Sequence, residues 1–184
     1  MHDFTNDINE MKDALERIDA RGSTALYDAV IGSLDHLKKG SKDKKVLLVV
    51  TDGVDNASRR TLENAVQEAQ RSDAVIYAIG LFSDDDLKHN RSEMKKARRA
   101  LTDLSMATDG LAFFPENVAD TETICTQIAR DIRDQYTLAY YPTNSAQDGS
   151  FRSVQVDVSA PRGLGKLSVR TRTGYYAHKT ASRD

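Results

Sequence analysis

The chain has 184 residues, with 26 Lys or Arg against 28 Asp or Glu, so its formal net charge is -2. This balance argues against a general nucleic-acid binder or a binder of acidic membranes, since both normally show a basic excess. The single cysteine, Cys125, excludes a disulfide framework and a cysteine-based zinc site. No apolar run approaches the ~20 residues of a membrane span. The first ten residues lack the apolar core of a signal peptide, and the localisation stays open.

Two helices are predicted at the start of the chain. Residues 6–18 carry apolar side chains on one face, and either Thr5 or Asp7 can cap this helix; the apolar residues are Ile8, Met11, Leu15 and Ile18. Residues 25–38 form the second helix, with Gly40 just beyond its end and with Leu26, Val30, Leu34 and Leu37 facing inward.

Strands and helices then alternate. The run from Val46 to Val50 is apolar without interruption, which is typical of a strand buried on both faces of a parallel sheet. A second buried strand is predicted at 74–81 and a short third strand at 111–114, and helices are predicted at 61–71, 92–107 and 120–134. In the helix over 92–107 the residues that face inward are Met94, Ala97, Leu101 and Leu104. This order predicts an α/β fold with a Rossmann-like parallel sheet flanked by helices. Cys125 falls close to the inward face of its helix and is predicted to belong to the core.

The pattern changes at Tyr136. Three strand-like stretches follow at 136–141, 151–159 and 167–172, joined by turn-rich connections. We therefore expect an α/β domain over residues 1–135 and an antiparallel strand extension over residues 136–184. Tyr136, Tyr140 and Tyr141 are expected to pack within that extension.

Two polar stretches are candidates for a binding site. The first predicted strand ends in Thr51-Asp52-Gly53-Val54-Asp55-Asn56, and ligands of open parallel sheets bind at the carboxyl ends of the strands. Asp52 is therefore a candidate ligand for a hard cation such as Mg²⁺, although a turn residue or a helix cap is the more common explanation for an Asp there. The hydroxyl of Thr24, at the start of the second helix, either caps that helix or ligates a cation, and capping is the more common role.

Together these stretches resemble the von Willebrand factor A domain. Gly22-Ser23-Thr24-Ala25-Leu26-Tyr27-Asp28-Ala29 is similar to the Thr loop of that family, and Val49-Val50-Thr51-Asp52-Gly53-Val54-Asp55-Asn56 is similar to its Asp loop. A narrower resemblance is to bacterial von Willebrand factor A-related proteins with a strand-rich C-terminal extension. It is carried by Ile132-Arg133-Asp134-Gln135-Tyr136-Thr137-Leu138-Ala139-Tyr140-Tyr141-Pro142 and by Val169-Arg170-Thr171-Arg172-Thr173-Gly174-Tyr175-Tyr176.

The resemblance implies a non-catalytic protein-binding or adhesion module with a metal-ion-dependent adhesion site. In a complete site Thr24 would ligate Mg²⁺, or Mn²⁺ or Ca²⁺ in its place, and Asp52 would hold the ion directly or through water. An acidic side chain of the protein partner would fill the open coordination position. Ser23 and Asp55 would lie just outside the ligands.

The chain departs from the family at one point, because no Asp-x-Ser-x-Ser precedes Thr24. The sequence is thus expected to begin part-way through the domain and to bind a cation weakly or not at all, since Thr24 and Asp52 alone fall short of the near-octahedral oxygen shell of Mg²⁺. In the family a strand lies beside the one at Val46–Val50. Its absence would leave an apolar edge prone to self-association, domain swapping or pairing with a separately supplied segment.

Two other functions and one further cation site are alternatives. A metal-independent assembly module, associating through exposed strand edges, is the main alternative. An enzyme that uses Asp52 as a phosphoryl-transfer nucleophile is disfavoured, because Val50 occupies the position of the second carboxylate. The run Asp84-Asp85-Asp86 is a solvated loop more often than a cation site. We expect no enzymatic activity, no nucleic-acid partner and no membrane span.

Overall fold

The computed structural model describes residues 4–19, 22–83, 88–163, 165, 167, 169–177 and 179. The run Asp84–Asp86 lies outside these residues. In chain order the elements are α1 (Ile8–Glu16), α2 (Leu26–Leu37), β1 (Lys45–Thr51), α3 (Leu62–Arg71), β2 (Ala74–Gly80), α4 (Arg91–Met106), β3 (Ala112–Phe113), α5 (Asp120–Arg133), β4 (Phe151–Ser153) and β5 (Gly174–Tyr176).

The main sheet is parallel, with strand order β1-β2-β3, and β4 pairs with β5 in a separate antiparallel sheet. This arrangement confirms the predicted α/β class. β2 is central and buried on both faces, as its uninterrupted apolar sequence requires. Ile76 and Ala78 face a core built with α2, α3 and α4, whereas Tyr77 and Ile79 face α5.

The helices α2 and α4 bury the faces that their apolar spacing predicts. In α4 the inward residues are all buried, namely Met94, Ala97, Leu101 and Leu104. In α2, Leu26, Val30 and Leu34 are buried, and Leu37 packs against the same core while partly exposed. Because the apolar residues of α2 and of α4 repeat at helical spacing, each of these helices packs one apolar face against the sheet.

β1 differs from the prediction of a strand buried on both faces. It lies at the edge of the sheet, and its outer residues Leu48 and Val50 are 44% and 53% exposed. Val46 still packs against the cluster formed with α5, but Leu48 and Val50 lie beyond that cover. The apolar run therefore belongs to a strand that is covered on one face only along its full length. Among the described residues, no helix covers the other face of its carboxyl half.

The apolar face of α1 is also uncovered. The helix begins as predicted, because the Asp7 carboxylate accepts a hydrogen bond of 2.8 Å from the amide of Asn9. No residue of α1 is buried, and the members of the apolar face, Ile8, Met11, Leu15 and Ile18, are 44–69% exposed. Phe4, just before the helix, stacks on His36 at the end of α2 with ring centroids 4.9 Å apart. This contact places the start of α1 beside the end of α2.

Several predictions for the last third of the chain are wrong. Residues 136–141 form no strand, and Tyr136 and Tyr141 are 95% and 100% exposed, so these two tyrosines do not pack within the extension. Tyr140 is 58% exposed, and its hydroxyl lies beside that of Tyr175 in β5. Residues 167 and 169–172 form no strand either, because the described pairing of the extension consists of β4 with β5 and an isolated bridge between Asp148 and Lys179. Cys125 is exposed, since it lies one position away from the stripe through Ile124 and Ile128 and is rotated toward solvent.

The extension packs against the α/β body at the end of the sheet where β2 begins. Arg172 donates a hydrogen bond to the carbonyl of Ser72, just before β2, and Arg170 pairs with Asp131 of α5. Tyr176 lies on α3, with the guanidinium of Arg71 4.9 Å from its ring centroid. Among the described residues, no helix is both long and apolar enough to cross a membrane.

Candidate functional site

The Thr loop and the Asp loop lie side by side at the carboxyl end of β1. The amide of Thr24 donates to Asn56 Oδ1 at 2.8 Å, and the carbonyl of Thr24 accepts from the amides of Asn56 and Ala57 at 3.0 and 3.1 Å. These bonds join segments that are 32 residues apart in sequence. They fix Thr24 against the loop that carries Asp52.

Gly53 allows this close approach. A Cβ atom at position 53 would stand 3.2 Å from Thr24 Oγ1, tighter than most side-chain contacts. The Gly53 amide also donates to Thr51 Oγ1 at 3.2 Å, which closes the turn after β1. The hydroxyl of Thr24 therefore lies next to the residue that follows Asp52.

Thr24 does not cap α2. Capping is the commonest structural role of a threonine at the start of a helix, so the hydroxyl of Thr24 is not used in that role. The N-cap position is Ala25, which has no side-chain cap. The helix is capped from the other loop instead, where Asp55 Oδ2 accepts from the amide of Tyr27 at 3.0 Å. Burial, followed by the charge of Asp55, raises the pKa of Tyr27.

Asp55 thus holds the two loops together. Its carboxylate also accepts from Ser58 Oγ at 2.5 Å and from the amide of Ser58 at 3.3 Å. The sequence predicts that Asp55 lies just outside the metal ligands. In the structure its carboxylate accepts hydrogen bonds from the first turn of α2 and from its own loop.

Asp28, Asn56 and Ser58 were not recognised as site residues from the sequence. Asp28, in the first turn of α2, accepts from the amides of Arg59 and Arg60 at 2.9 and 3.2 Å, and its own amide donates to Ser58 Oγ at 3.1 Å. The sequence signal for Asp28 is an acidic residue in the first turn of a helix. Its hydrogen-bond partners are about 30 residues away, so no local spacing in the sequence identifies them.

Asp52 and Ser23 are both exposed at this edge. Within the described ranges, Asp52 makes no hydrogen bond, so its carboxylate oxygens face solvent as available acceptors. No group of three or more His, Cys, Asp or Glu residues that could hold a metal occurs within those ranges. The Thr24 hydroxyl and the Asp52 carboxylate have the oxygen chemistry of a Mg²⁺ site, but they make up only part of the six-oxygen shell this ion needs.

A parallel sheet between helices, with polar loops at the carboxyl end of an edge strand, defines a Rossmann-like α/β binding domain. The model of the von Willebrand factor type A domain matches residues 1–127, and the chain belongs to this family. Membership indicates a protein-interaction or adhesion-type module.

Two further comparisons add little. No curated protein matches the chain significantly. One solved structure, described as an uncharacterized membrane spanning protein from Vibrio fischeri, is 19% identical and has a TM-score of 0.41. That match covers 68% of this chain and 67% of the other.

Proposed function

We propose that this domain is a non-catalytic protein-binding module whose contact surface is the edge where Thr24 and Asp52 meet. The observation that carries this proposal is the capping of α2 by Asp55. Because Asp55 caps the helix, the Thr24 hydroxyl is not used as a cap, and it lies beside Gly53. The carboxylate of Asp52 faces solvent on the same edge. A threonine hydroxyl that caps no helix, and a carboxylate on the adjoining loop that makes no hydrogen bond within the described part of the chain, have the oxygen chemistry that a divalent cation prefers.

In this proposal Thr24 ligates a divalent cation, Mg²⁺ or Mn²⁺ or Ca²⁺, and Asp52 holds it directly or through water. Asp55 keeps the two loops in register, and Ser23 borders the ion. The cation supplies positive charge that an acidic side chain of the partner can bind. The chain alone holds the cation weakly or not at all, because a hydroxyl and one carboxylate leave most of the coordination shell to water.

Peptide binding tests the proposal. A set of fluorescent peptides, each carrying Asp or Glu, is paired with the same peptides carrying Asn or Gln and titrated against the protein in millimolar Mg²⁺ or in EDTA. We expect that acidic peptides bind only with the cation and that Asp52→Ala abolishes binding. Asp103→Ala, at a half-exposed position of α4, is the matched control and should bind as wild type. Binding that is equal in EDTA, or that is unaffected by Asp52→Ala, would contradict the proposal.

A second candidate function, from a different class, is favoured by the exposed edge of β1. Unpaired apolar edges recruit further strands, and Leu48 and Val50 are about half exposed there. The domain would then be a metal-independent assembly module that associates through this edge. Light scattering at high concentration in EDTA tests self-association directly, and a monomer that recruits no extended segment would remove this candidate.

A further inference from the structure

A surface cleft lies between α3, α4 and β5. Its volume is about 460 Å³, within the range of roughly 300–1,000 Å³ that sites for small molecules occupy. Helix α3 supplies most of its lining, whereas α4 contributes Asp103 and β5 contributes Tyr176. Neither Thr24 nor Asp52 lines it. The cleft therefore lies where the α/β body meets the extension, and it is distinct from the candidate cation site.

Helix α3 directs a polar face into this cleft. Its core face is formed by Ala65 and Ala69, which are fully buried. Glu63, Gln67 and Gln70 are spaced by four and three residues, so they share another face of the helix. Gln67 and Gln70 are partly buried there. Two carboxamides are thus enclosed on a helix face that would ordinarily be open to solvent.

The polar groups of the cleft are not fully used within the described part of the chain. The side chain of Gln70 makes no hydrogen bond to the described residues. Gln67 Nε2 donates to the Tyr176 hydroxyl at 3.5 Å, which leaves the oxygen of Gln67 and the hydroxyl proton of Tyr176 available. Each carboxamide carries both donors and an acceptor, and the hydroxyl also does both. The cleft therefore offers donors and acceptors side by side.

The side chain of Tyr176 is held in place from two directions. The guanidinium of Arg71 lies 4.9 Å from the centroid of its ring, and the ring of Phe151 meets it edge-on with centroids 5.2 Å apart. These contacts fix the hydroxyl beside Gln67. A ligand that bonds this hydroxyl pays little for ordering it, which favours binding.

The charged residues that line the cleft are both acidic. Glu63 lies on α3 and Asp103 on α4. Arg99 pairs with Asp103 at 3.7 Å, but Arg99 is not part of the lining. Two carboxylates at the walls repel ligands that carry phosphate, sulfate or carboxylate groups. The cleft therefore suits a ligand without negative charge.

We propose that this cleft binds an uncharged saccharide through Gln67, Gln70 and the Tyr176 hydroxyl. Each hydroxyl group of a sugar both donates and accepts, which matches the mixed donors and acceptors of these three side chains. Leu62 and Val66, the apolar part of the lining, would contact the C–H groups of the sugar ring. An apolar ligand would instead leave the carboxamides without partners. Because the glutamines belong to α3 and Tyr176 to β5, the saccharide would bridge the body and the extension.

Isothermal titration of the full chain in EDTA tests the proposal with uncharged disaccharides, namely maltose, cellobiose, lactose and N,N′-diacetylchitobiose. Digalacturonic acid is the acidic probe, and acetyl-triglycine amide is an uncharged peptide probe. We expect saturable binding of at least one uncharged disaccharide and no binding of the other two probes. Amide NMR spectra with the bound disaccharide should shift at residues 62–70 and at Asp103 and Tyr176.

Variants of the hydrogen-bonding groups sharpen this test. Gln70→Ala and Tyr176→Phe should each weaken disaccharide binding by about two- to tenfold, because each removes a hydrogen-bonding group. Both variants should fold, since Ala favours a helix more than Gln does and Phe keeps the ring that packs on Arg71. Gln127→Ala, at an exposed position of α5, is the matched control and should bind as wild type.

The absence of saturable binding by any uncharged disaccharide would overturn the proposal. Binding that is unchanged in both Gln70→Ala and Tyr176→Phe would also overturn it, because the saccharide would then lie elsewhere. Stronger binding of digalacturonic acid would contradict the charge argument, and equally strong binding of the peptide probe would replace the saccharide with a peptide. The use of EDTA leaves the cation-dependent proposal for Thr24 and Asp52 untouched by any of these results.

Discussion

Asp52 and Asp55 are three residues apart but differ in role. Asp55 bonds the amide of Tyr27 and both polar groups of Ser58, whereas Asp52 faces solvent. We expect Asp55→Ala to lower the free energy of unfolding by about 1–2 kcal/mol, because it removes a helix cap and a link between loops. Asp52→Ala should change it by less than about 0.5 kcal/mol. Urea unfolding of both variants checks this, and equal losses would contradict the assignment of Asp55 to structure and Asp52 to binding.

Asp109 gives a pH dependence at the opposite end of the sheet. Burial raises its pKa above the ordinary value, while the nearby Arg170 partly opposes that rise. A carboxyl group with a raised pKa in the folded state stabilises the fold at low pH, and this contribution is lost as pH rises through the folded pKa. Asp109→Asn removes the titration and tolerates the left-handed backbone at φ 71°. Relative to wild type, its free energy of unfolding should therefore increase from about pH 4 to about pH 7 in urea titrations. A constant or falling difference would contradict this.

Among the elements, α5 and the extension are joined through Arg170. Its guanidinium pairs with Asp131 and lies 3.5 Å from Asp109. Arg170→Gln removes the ion pair of Asp131 and one of the two cations near Asp109, the other being Arg172, so we expect a loss of about 1–3 kcal/mol and faster hydrogen exchange over residues 169–177. Arg162→Gln, at an exposed turn, is the control. Exchange that is equally fast in both variants would show that Arg170 does not hold the extension.

How far the sequence predicts each element depends on where its partners lie. The stripes of α2 and α4 and the apolar run of β2 are local signals, and their burial was predicted correctly. The exposure of α1 and of the edge of β1 depends on what packs beside them, which periodicity does not encode. Strand propensity at 136–141 likewise meets no partner strand, and the strands of the extension within the described ranges are β4 and β5.

The candidate site shows the same difference between local signals and contacts that are distant in sequence. Thr24 and Asp52 are predicted as site residues because motif and strand end coincide in the sequence, and their role stays a prediction. The capping of α2 by Asp55, and the bonds between Asp28 and the amides of Arg59 and Arg60, join positions about 30 residues apart. Only the fold brings these groups together, and this explains why their structural roles could not be predicted.

For the whole molecule, contacts between the extension and the body predict joint unfolding. Arg172 reaches Ser72, Tyr176 packs on α3, and Arg170 reaches α5. Because these contacts cross the expected boundary at residues 135 and 136, we expect coincident urea transitions by circular dichroism and by tyrosine fluorescence. Two separated transitions would show that the extension unfolds independently.

The central claim is that Thr24 and Asp52 form part of a cation site that a protein partner completes. Isothermal titration of the purified chain with Mg²⁺ and Mn²⁺ tests it most directly, with Asp52→Ala titrated alongside. We predict weak binding or none, because a hydroxyl and one carboxylate leave the coordination shell mostly to water. Submicromolar affinity that Asp52→Ala abolishes would contradict the account, since the chain would then hold the cation without a partner.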